Sequence, residues 1–237
     1  MERIDKLLAS TGRWSRREVK ELCRRGRVTA DGAAVRAEDK VPGAARLAVD
    51  GETVEPEPAV WLMLHKPAGL LSATEDPRQP TVLSLLPERY QKLGLFPVGR
   101  LDKDTEGLLL LTNDGPLAHA LLSPRKHVGK VYYVETEGEL TQADAAAFKA
   151  GLTLADGTRC RPAGLRLLGG NRGEVTLWEG KYHQVKRMLG QRGRPVTYLK
   201  RVAFGPLALD KTLEKGAWRP LTAEERAALA GKGDTKN

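Results

Sequence analysis

The chain has 237 residues, 41% hydrophobic and 29% charged, which suffices for one large domain or for a medium domain with a small one. Its 39 lysines and arginines outnumber 30 acidic residues, and the formal net charge of +9 favours a polyanionic partner. Two distant cysteines, four scattered histidines, no signal-peptide pattern and only short apolar stretches exclude a disulfide framework, a metal site and a membrane span, so we expect a cytoplasmic protein.

The first 48 residues predict a small domain of two helices and a hairpin. In the stretch RIDKLLAS the apolar residues share one helical face. Ser15 and Glu18 form the capping-box pattern that begins a second helix, whose apolar residues also repeat at helical spacing. Asp31 and Gly32 predict the tight turn of the hairpin.

The second predicted helix carries much of the positive charge of this domain. Residues 1–48 hold 12 lysines and arginines against 7 acids. The cations of the helix are Arg16, Arg17, Lys20, Arg24 and Arg25. A solvated helix surface is the alternative, but so many like charges repel one another unless an anion binds nearby. The stretch resembles the alpha-L RNA-binding motif of a small-subunit ribosomal protein and of several RNA-modifying enzymes, which implies that these cations contact RNA.

A larger domain is predicted after a connector. The Pro- and Glu-rich stretch DGETVEPEPAV marks the connector at residues 49–59, the larger domain covers 60–230, and a flexible tail covers 231–237. Strands are predicted at Val60–His65, Leu108–Thr112, Lys130–Gly138, Arg161–Leu168, Glu174–Trp178 and Thr197–Phe204, with a turn at Asn113–Gly115. Helices are predicted at Thr141–Ala150, at His183–Gln191 and after a Thr222–Glu225 cap. This order indicates an α+β fold whose sheet has helices on one face.

The segment GRLDKDTEGLLLLTNDG, residues 99–115, places four acids beside an arginine and a run of leucines. A loop rich in Asp and Gly at a strand edge is usually only a turn. The whole segment, however, closely resembles the signature of the pseudouridine synthases that modify ribosomal RNA. Three further stretches match that family in order, LHKPAGLLSA, KVYY and EGKYHQVKRML, so the resemblance covers most of residues 60–205. It implies a catalytic domain built on a mixed, mainly antiparallel sheet with helices.

The resemblance also implies a reaction and a partner. Uridine becomes pseudouridine when its N-glycosidic bond breaks, the uracil rotates and C5 joins the same sugar carbon, which needs no redox change and no cofactor. The stretches SPRKHVGKVYYV and LADGTRCRPA resemble the branch that acts on small-subunit ribosomal RNA. We therefore expect a monomeric enzyme whose partner is ribosomal RNA or a small-subunit assembly intermediate.

By the same resemblance Asp102 is the essential carboxylate, which either attacks the ribose or acts as a base at the sugar. A buried carboxylate needs a nearby cation to stay ionised, and Lys186 in the HQVK stretch is the expected partner. Lysine here keeps the charge of the arginine that is frequent in the family but lacks its bidentate fork. Tyr132 matches the tyrosine whose ring stacks on the target base, although an ordinary strand aromatic is the alternative. Tyr133 points to the opposite face of the strand.

Further residues are predicted to hold the RNA. The target base must leave its stack to reach the carboxylate, and Arg100 either fills the vacated space or binds a neighbouring phosphate. A surface ion pair between Arg100 and Asp104 is the alternative, and Asp104 and Glu106 are expected to shape the loop. The predicted phosphate contacts are Lys66, Lys181 and Arg187. His65 and His183 are either RNA contacts or packed polar groups.

Three alternatives remain open at the level of sequence. A pseudouridine synthase of large-subunit ribosomal RNA is the first. A non-catalytic RNA-binding factor of ribosome assembly would carry a degenerate site, whereas Asp102, Tyr132 and Lys186 are all present. A glycoside hydrolase would use paired carboxylates, but Asp102 and Asp104 on one loop give no assurance of the facing geometry that this chemistry needs.

Overall fold

A computed structural model describes residues 1–56, 59–123 and 126–231, so residues 232–237 of the predicted tail lie outside the described residues. The elements of the N-terminal part are β1 (Glu2–Arg3), α1 (Ile4–Ala9), α2 (Arg16–Arg24), β2 (Val28–Ala30), β3 (Ala33–Ala34), β4 (Lys40–Val41), β5 (Leu47–Val49) and β6 (Glu52–Val54). Across the three described ranges, no helix combines the length and the apolar character that a membrane crossing requires.

The N-terminal part has a hydrophobic core of its own. Ser15 begins α2 by accepting a hydrogen bond from the N–H of Glu18, whose side chain accepts one from the N–H of Ser15, so the predicted capping box is confirmed. The predicted hairpin is also confirmed, because Asp31 and Gly32 have φ values of 50° and 83° between the paired strands β2 and β3. Apolar residues of both helices pack against β2, β5 and β6.

The N-terminal sheet extends further along the chain than the sequence predicts. Strands β5 and β6 pair with each other, and Val54 is buried in the N-terminal core. Asp50 and Gly51 have φ values of 54° and 82°, which makes them a second hairpin turn instead of the start of a connector. The structure thus corrects the expectation for residues 49–54, where a turn and a strand replace the connector.

The second part is built around one large sheet. Its elements are β7 (Trp61–Lys66), a 3-10 helix (Val82–Leu85), α3 (Glu88–Lys92), β8 (Phe96–Pro97), β9 (Glu106–Thr112), α4 (Gly115–Leu122), β10 (Lys130–Thr136), α5 (Gln142–Ala150), β11 (Gly164–Gly169), β12 (Arg172–Leu177), α6 (Gln184–Gln191), β13 (Val196–Phe204), β14 (Leu207–Ala208), β15 (Trp218–Pro220) and α7 (Ala223–Gly231). The strand order is β11-β12-β10-β13-β9-β7-β15, with β14 beside β13 and β8 beside β9. The pair β9–β13 is parallel and its neighbours are antiparallel, which confirms a mixed, mainly antiparallel sheet.

Helices cover both faces of this sheet. Leu109 and Leu111 of β9 face a larger core that they share with α5 and α6. Leu108 and Leu110 face a second core, which includes residues of α4 and α7. A strand that is apolar at every position in this way needs cover on both sides. The expectation of helices on one face is therefore wrong.

The turn predicted at Asn113–Gly115 is the beginning of helix α4. Asp114 caps this helix by accepting a hydrogen bond from the N–H of Leu117, and Pro116 occupies the first turn, where a missing N–H is tolerated. At the C-terminal end, Thr222 and Glu225 form the reciprocal bonds of the predicted cap before α7. Helices α4 and α7 thus both begin with a cap whose residues are three positions apart in sequence.

Gly107 of β9 lies directly against Arg201 of β13. This residue has a φ of +106°, and a Cβ placed on it would lie 2.7 Å from the backbone nitrogen of Arg201. The Arg201 side chain is buried, and its Nε donates to the carbonyl of Leu108 at 2.7 Å. The parallel pair therefore forms only because residue 107 has no side chain.

We expect Gly107→Ala to lower the free energy of unfolding by more than about 3 kcal/mol, because backbone atoms of Arg201 occupy the space that the methyl group needs. The matched control is Gly216→Ala, where φ is +86° and no heavy atom lies within 4 Å of the added Cβ. Only the cost of the left-handed backbone, about 1–2 kcal/mol, applies there. Urea unfolding of both variants measures the difference, and equal losses would show that strand contact at residue 107 is not the constraint.

Candidate active site

Asp102 lies in the loop between β8 and β9, where the beginning of α6 approaches it. Its side chain is 26% exposed, and each carboxylate oxygen has its own neighbour. The Lys186 ammonium lies 3.4 Å from Oδ2, and Nε2 of His183 lies 3.5 Å from Oδ1. Because α6 begins directly after His183 and carries Lys186, the first turn of one helix supplies both groups. The structure thus brings Asp102 and Lys186 together.

Lys186 is shared between two carboxylates. Its ammonium lies 2.5 Å from Oδ1 of Asp104, closer than to Asp102, and this hydrogen bond lowers the pKa of Asp104. Asp104 is largely exposed, so this pair lies at the outer edge of the site. Arg100 is also exposed and has no ion-pair partner within the described ranges, so the alternative of an Arg100–Asp104 pair is wrong.

Tyr132 of β10 is 9% exposed and belongs to the larger core. That core also contains Leu101 and Val185, the residues directly before Asp102 and Lys186. The neighbouring Tyr133 packs its ring edge-on against Tyr198 and donates its hydroxyl to Glu135, as alternation along the strand predicts. Tyr132 therefore belongs to the same hydrophobic core as the residues that precede the carboxylate and its lysine.

Lys66 is fully buried, which makes the prediction that it contacts phosphate wrong. Its ammonium donates to the carbonyls of Pro67, Lys103 and Thr105 at 3.0, 3.1 and 3.0 Å. Burial lowers the pKa of Lys66 to about 8, although the negative charges of nearby aspartates oppose this effect. Two of the three acceptors lie on the loop that carries Asp102. Lys66 is thus a positioning residue for that loop.

Ser72 holds the other side of the same loop, a role that the sequence analysis did not assign. Its hydroxyl donates to the carbonyl of Leu101 and accepts from the N–H of Leu101, at 2.9 and 3.0 Å. Gly69 adds a backbone hydrogen bond to the carbonyl of Lys103 at 2.7 Å. The backbone on both sides of Asp102 is therefore bound to the LHKPAGLLSA stretch. The only signal for this in the sequence is the Pro–Gly break that directly follows an apolar strand.

His65 and Glu106 are packed polar groups. His65 is buried on β7, where its Nδ1 bonds to the carbonyl of Leu213 at 2.7 Å, and burial lowers its pKa. Glu106 is buried at the start of β9 and accepts hydrogen bonds from the Tyr198 hydroxyl and the Lys215 ammonium, at 2.6 and 3.1 Å. The packed alternative for His65 is the correct one. In the described part of the chain, no three His, Cys, Asp or Glu side chains are grouped to hold a metal ion.

The predicted RNA-binding cations of α2 fall into two groups. Those that are exposed and have no ion pair in the described part of the molecule are Arg16, Arg17 and Lys20. Arg24 and Arg25 both pair with Glu21, at 2.8 and 2.7 Å. All of these groups remain accessible to a ligand, so RNA contact at these five positions stays a prediction.

Lys181 and Arg187 are partly exposed and connect the start of α6 to the loop of residues 153–160. The Lys181 ammonium donates to the carbonyl of Arg159 at 2.5 Å, and the Arg187 guanidinium pairs with Asp156 at 2.6 Å. Each therefore has a structural contact within the chain. Their contact with phosphate also stays a prediction.

The two residues before α6 form a stacked pair of rings that the sequence analysis did not predict. The ring centroids of Tyr182 and His183 are 3.8 Å apart, and the planes differ by 18°. His183 has a φ of 47°, in the left-handed region that non-glycine residues rarely adopt. Consecutive side chains of an extended chain point to opposite faces, so the turn at this position is what allows the rings to stack.

Comparison with known proteins relates both parts of the chain to families. Residues 60–191 match the model of the RNA pseudouridylate synthase family, and residues 2–47 match that of the S4 domain. The chain is 44% identical to an uncharacterized RNA pseudouridine synthase of Bacillus subtilis, over 94% of this chain and 96% of that protein. It is 43% identical to the ribosomal small subunit pseudouridine synthase A of Pseudomonas aeruginosa, over 94% and 98%. A crystal structure of a pseudouridylate synthase matches with a TM-score of 0.69 and 33% identity, over 97% of this chain and 100% of that one.

The buried ammonium of Lys66 predicts a pH dependence of stability. Its pKa of about 8 lies below that of an unfolded lysine, so between roughly pH 8 and pH 10.4 the unfolded chain binds more protons than the folded one. The cost of burying the charge is complete below pH 8 and is relieved as the pH rises through this window. The free energy of unfolding of the parent, relative to Lys66→Met, should increase there by up to about 1.4 kcal/mol per pH unit.

The control for this measurement is Lys103→Met, on the same loop. Lys103 is exposed and its ammonium donates to Gln79, so its replacement should leave the pH dependence of the parent unchanged. Urea unfolding at several values between pH 7 and pH 10 compares the three proteins. Parallel curves for the parent and Lys66→Met would contradict a charged, buried Lys66.

Proposed function

The chain belongs to the RNA pseudouridylate synthase family, and we propose that its substrate is a uridine of small-subunit ribosomal RNA. It is an isomerase that acts on RNA uridine and carries an RNA-binding S4 domain. Relatives that align over nearly the whole chain and are named for the small ribosomal subunit support the finer substrate. The observation that carries the proposal for the site is the Asp102 carboxylate, with a lysine at one oxygen and a histidine at the other.

The proposed reaction needs no added group. The N-glycosidic bond of uridine breaks, the uracil turns, and its C5 forms a bond to the same sugar carbon. C5 loses a proton and N1 gains one, so atoms and electrons balance without an oxidant, a reductant or a cofactor. The protein has to supply a nucleophile or base at the sugar, a place for the detached uracil, and binding for the displaced strand.

In this proposal Asp102 either attacks the ribose or acts as a base at the sugar. Lys186 attracts its negative charge from one side, and the carboxylate remains accessible from solvent because its side chain is 26% exposed. Tyr132, which belongs to the same hydrophobic core as the residues that precede Asp102 and Lys186, holds the uracil against its ring. Arg100, which is exposed at the start of the loop, binds a phosphate beside the target or fills the space of the base that has left.

The N-terminal part supplies RNA affinity in the same proposal. Helix α2 presents exposed cations that have no acidic partner in the described structure, and such groups bind the phosphate backbone without reading sequence. We propose that a monomer acts in the cytoplasm on ribosomal RNA or on a small-subunit assembly intermediate. The alternatives to a small-subunit substrate are a large-subunit substrate and a non-catalytic role in ribosome assembly, and the RNA in which pseudouridine forms distinguishes among the three.

We expect the purified protein to form pseudouridine in unmodified small-subunit ribosomal RNA, as a transcript or as an assembly particle, in the presence of EDTA. Asp102→Asn should reduce the yield to background, because the amide has neither the negative charge nor the basic oxygen. Its RNA affinity should stay within a few-fold of the parent, since the shape of the side chain is kept. Digestion to nucleosides and filter binding measure the two quantities.

Asp104→Asn is the matched control for Asp102→Asn, because it removes the same charge from the other neighbour of Lys186. It should leave most of the turnover intact and free Lys186 to lie closer to Asp102. If turnover survived in Asp102→Asn but not in Asp104→Asn, the essential carboxylate would be Asp104 and the proposed role of Asp102 would be wrong. Pseudouridine in large-subunit RNA only, or in no RNA at all, would favour one of the two alternatives instead.

Replacing Arg16, Arg17 and Lys20 by glutamine should weaken RNA binding and flatten its salt dependence. Each phosphate contact that is lost lowers the slope of log affinity against log salt by roughly 0.7–0.9. Arg27→Gln is the control, because Arg27 is exposed but already paired with Asp50. Binding titrations between low and moderate salt give the slopes. An unchanged slope in the triple variant would show that these cations are only a solvated helix surface and do not contact RNA.

A further inference from the structure

Tyr182 is the most exposed aromatic side chain in the described part of the molecule, at 76%. A single exposed apolar side chain is common on protein surfaces and needs no explanation by itself. Tyr182 differs because only one ring separates it from the Asp102 carboxylate. One face of its ring lies on His183, and the Nε2 edge of His183 lies 3.5 Å from Asp102.

The turn that carries Tyr182 is held in place on both sides. Before it, the N–H of Lys181 donates to the Gln184 side chain at 3.0 Å, and Gln184 is buried. After it, the Arg187 guanidinium contacts the carbonyl of Tyr182 at 3.4 Å. The left-handed backbone of His183 is strained, and such strain persists only where the surroundings determine it. The ring pair is therefore a fixed feature of the site rather than an unconstrained loop.

An aromatic ring fixed beside a base-flipping site has one obvious class of ligand. When the target uracil leaves the RNA stack, its neighbour loses a stacking partner, and a protein ring can replace it. Bases stack on aromatic side chains without regard to sequence, because every base has a π face. Lys181 and Arg187 lie on either side of Tyr182 in sequence, and both are partly exposed cations.

We propose that the free face of the Tyr182 ring stacks on a base of the substrate RNA that adjoins the target uridine. His183 packs against the other face of the Tyr182 ring and sets the distance of that ring from Asp102. This role rests on the proposed function, since it requires the target ribose to lie at Asp102. The alternative is that Tyr182 only shields His183 from water, and the experiments are chosen to distinguish the two.

The first test places a fluorescent ring at the same position. Tyr182→Trp keeps a stacking surface. The fluorescence of the added tryptophan should be quenched when the protein binds poly(U), a single-stranded RNA that can be tested without knowing the natural substrate. The matched control is Leu168→Trp, which adds an exposed tryptophan on β11, at the edge of the sheet far from β9. Inorganic polyphosphate, which has charge but no bases, is the second control. Equal quenching of both variants, or quenching by polyphosphate, would overturn the proposal.

The second test uses whichever ribosomal RNA the parent modifies. Tyr182→Leu should raise KM roughly tenfold, while Tyr182→Phe, which keeps the ring, should stay near the parent. Removing the base next to the target should impair the parent by a similar factor but should impair Tyr182→Leu no further. If removing the base and Tyr182→Leu each raised KM and their factors multiplied in combination, the ring and the base would not be in contact. Tyr182 would then only shield His183.

The stacking role of Tyr182 and the proposed substrate can each be refuted without refuting the other. Pseudouridine in large-subunit RNA would refute the proposed substrate, yet the Tyr182 variants would still be compared on that RNA. If the parent modified no RNA, the poly(U) titration would still decide whether a base stacks on residue 182. Conversely, a Tyr182→Leu variant with the KM of the parent would overturn the stacking role and leave the proposed substrate intact.

Discussion

The candidate site depends above all on the buried ammonium group of Lys66. A charge without water must be balanced by the protein, and here three backbone carbonyls do so, two of them on the loop of Asp102. Ser72 binds the same loop with a neutral hydroxyl on the other side of the aspartate. Because Lys66 ends β7, which lies between β9 and β15, the position of the carboxylate is tied to the interior of the sheet.

The electrostatics of the site follow from this anchoring and from one helix. The first turn of α6 brings His183 and Lys186 to opposite oxygens of Asp102, and Asp104 draws Lys186 toward the edge. The lysine is therefore divided between an exposed carboxylate and one that is mostly covered. A single ammonium group thus serves both carboxylates, whereas an arginine would offer separate N–H groups in a planar fork.

Features with a local cause were predictable from the sequence, and features that arise from contact between distant segments were not. The caps at Ser15 and Thr222 depend on residues three positions apart, and both are present. Helix α4 was missed because Asp114 suits a turn and a helix cap equally well. The burial of Lys66 could not be predicted, because a lysine is usually exposed and its acceptors at residues 103 and 105 lie far along the chain. In the same way, the stacked ring pair depends on a single left-handed residue that the helical pattern does not reveal.

The parallel pairing of β9 with β13 has a consequence for how the chain becomes active during synthesis. Arg201 and Leu108, which bond across this pair, are 93 positions apart in sequence. Contacts of such separation form late, because the loop between them must close first. The loop of Asp102 leaves the ribosome well before α6 and β13, so a nascent chain has its carboxylate long before it has the lysine and histidine that flank it. The site is thus assembled only after α6 and β13 have been synthesised.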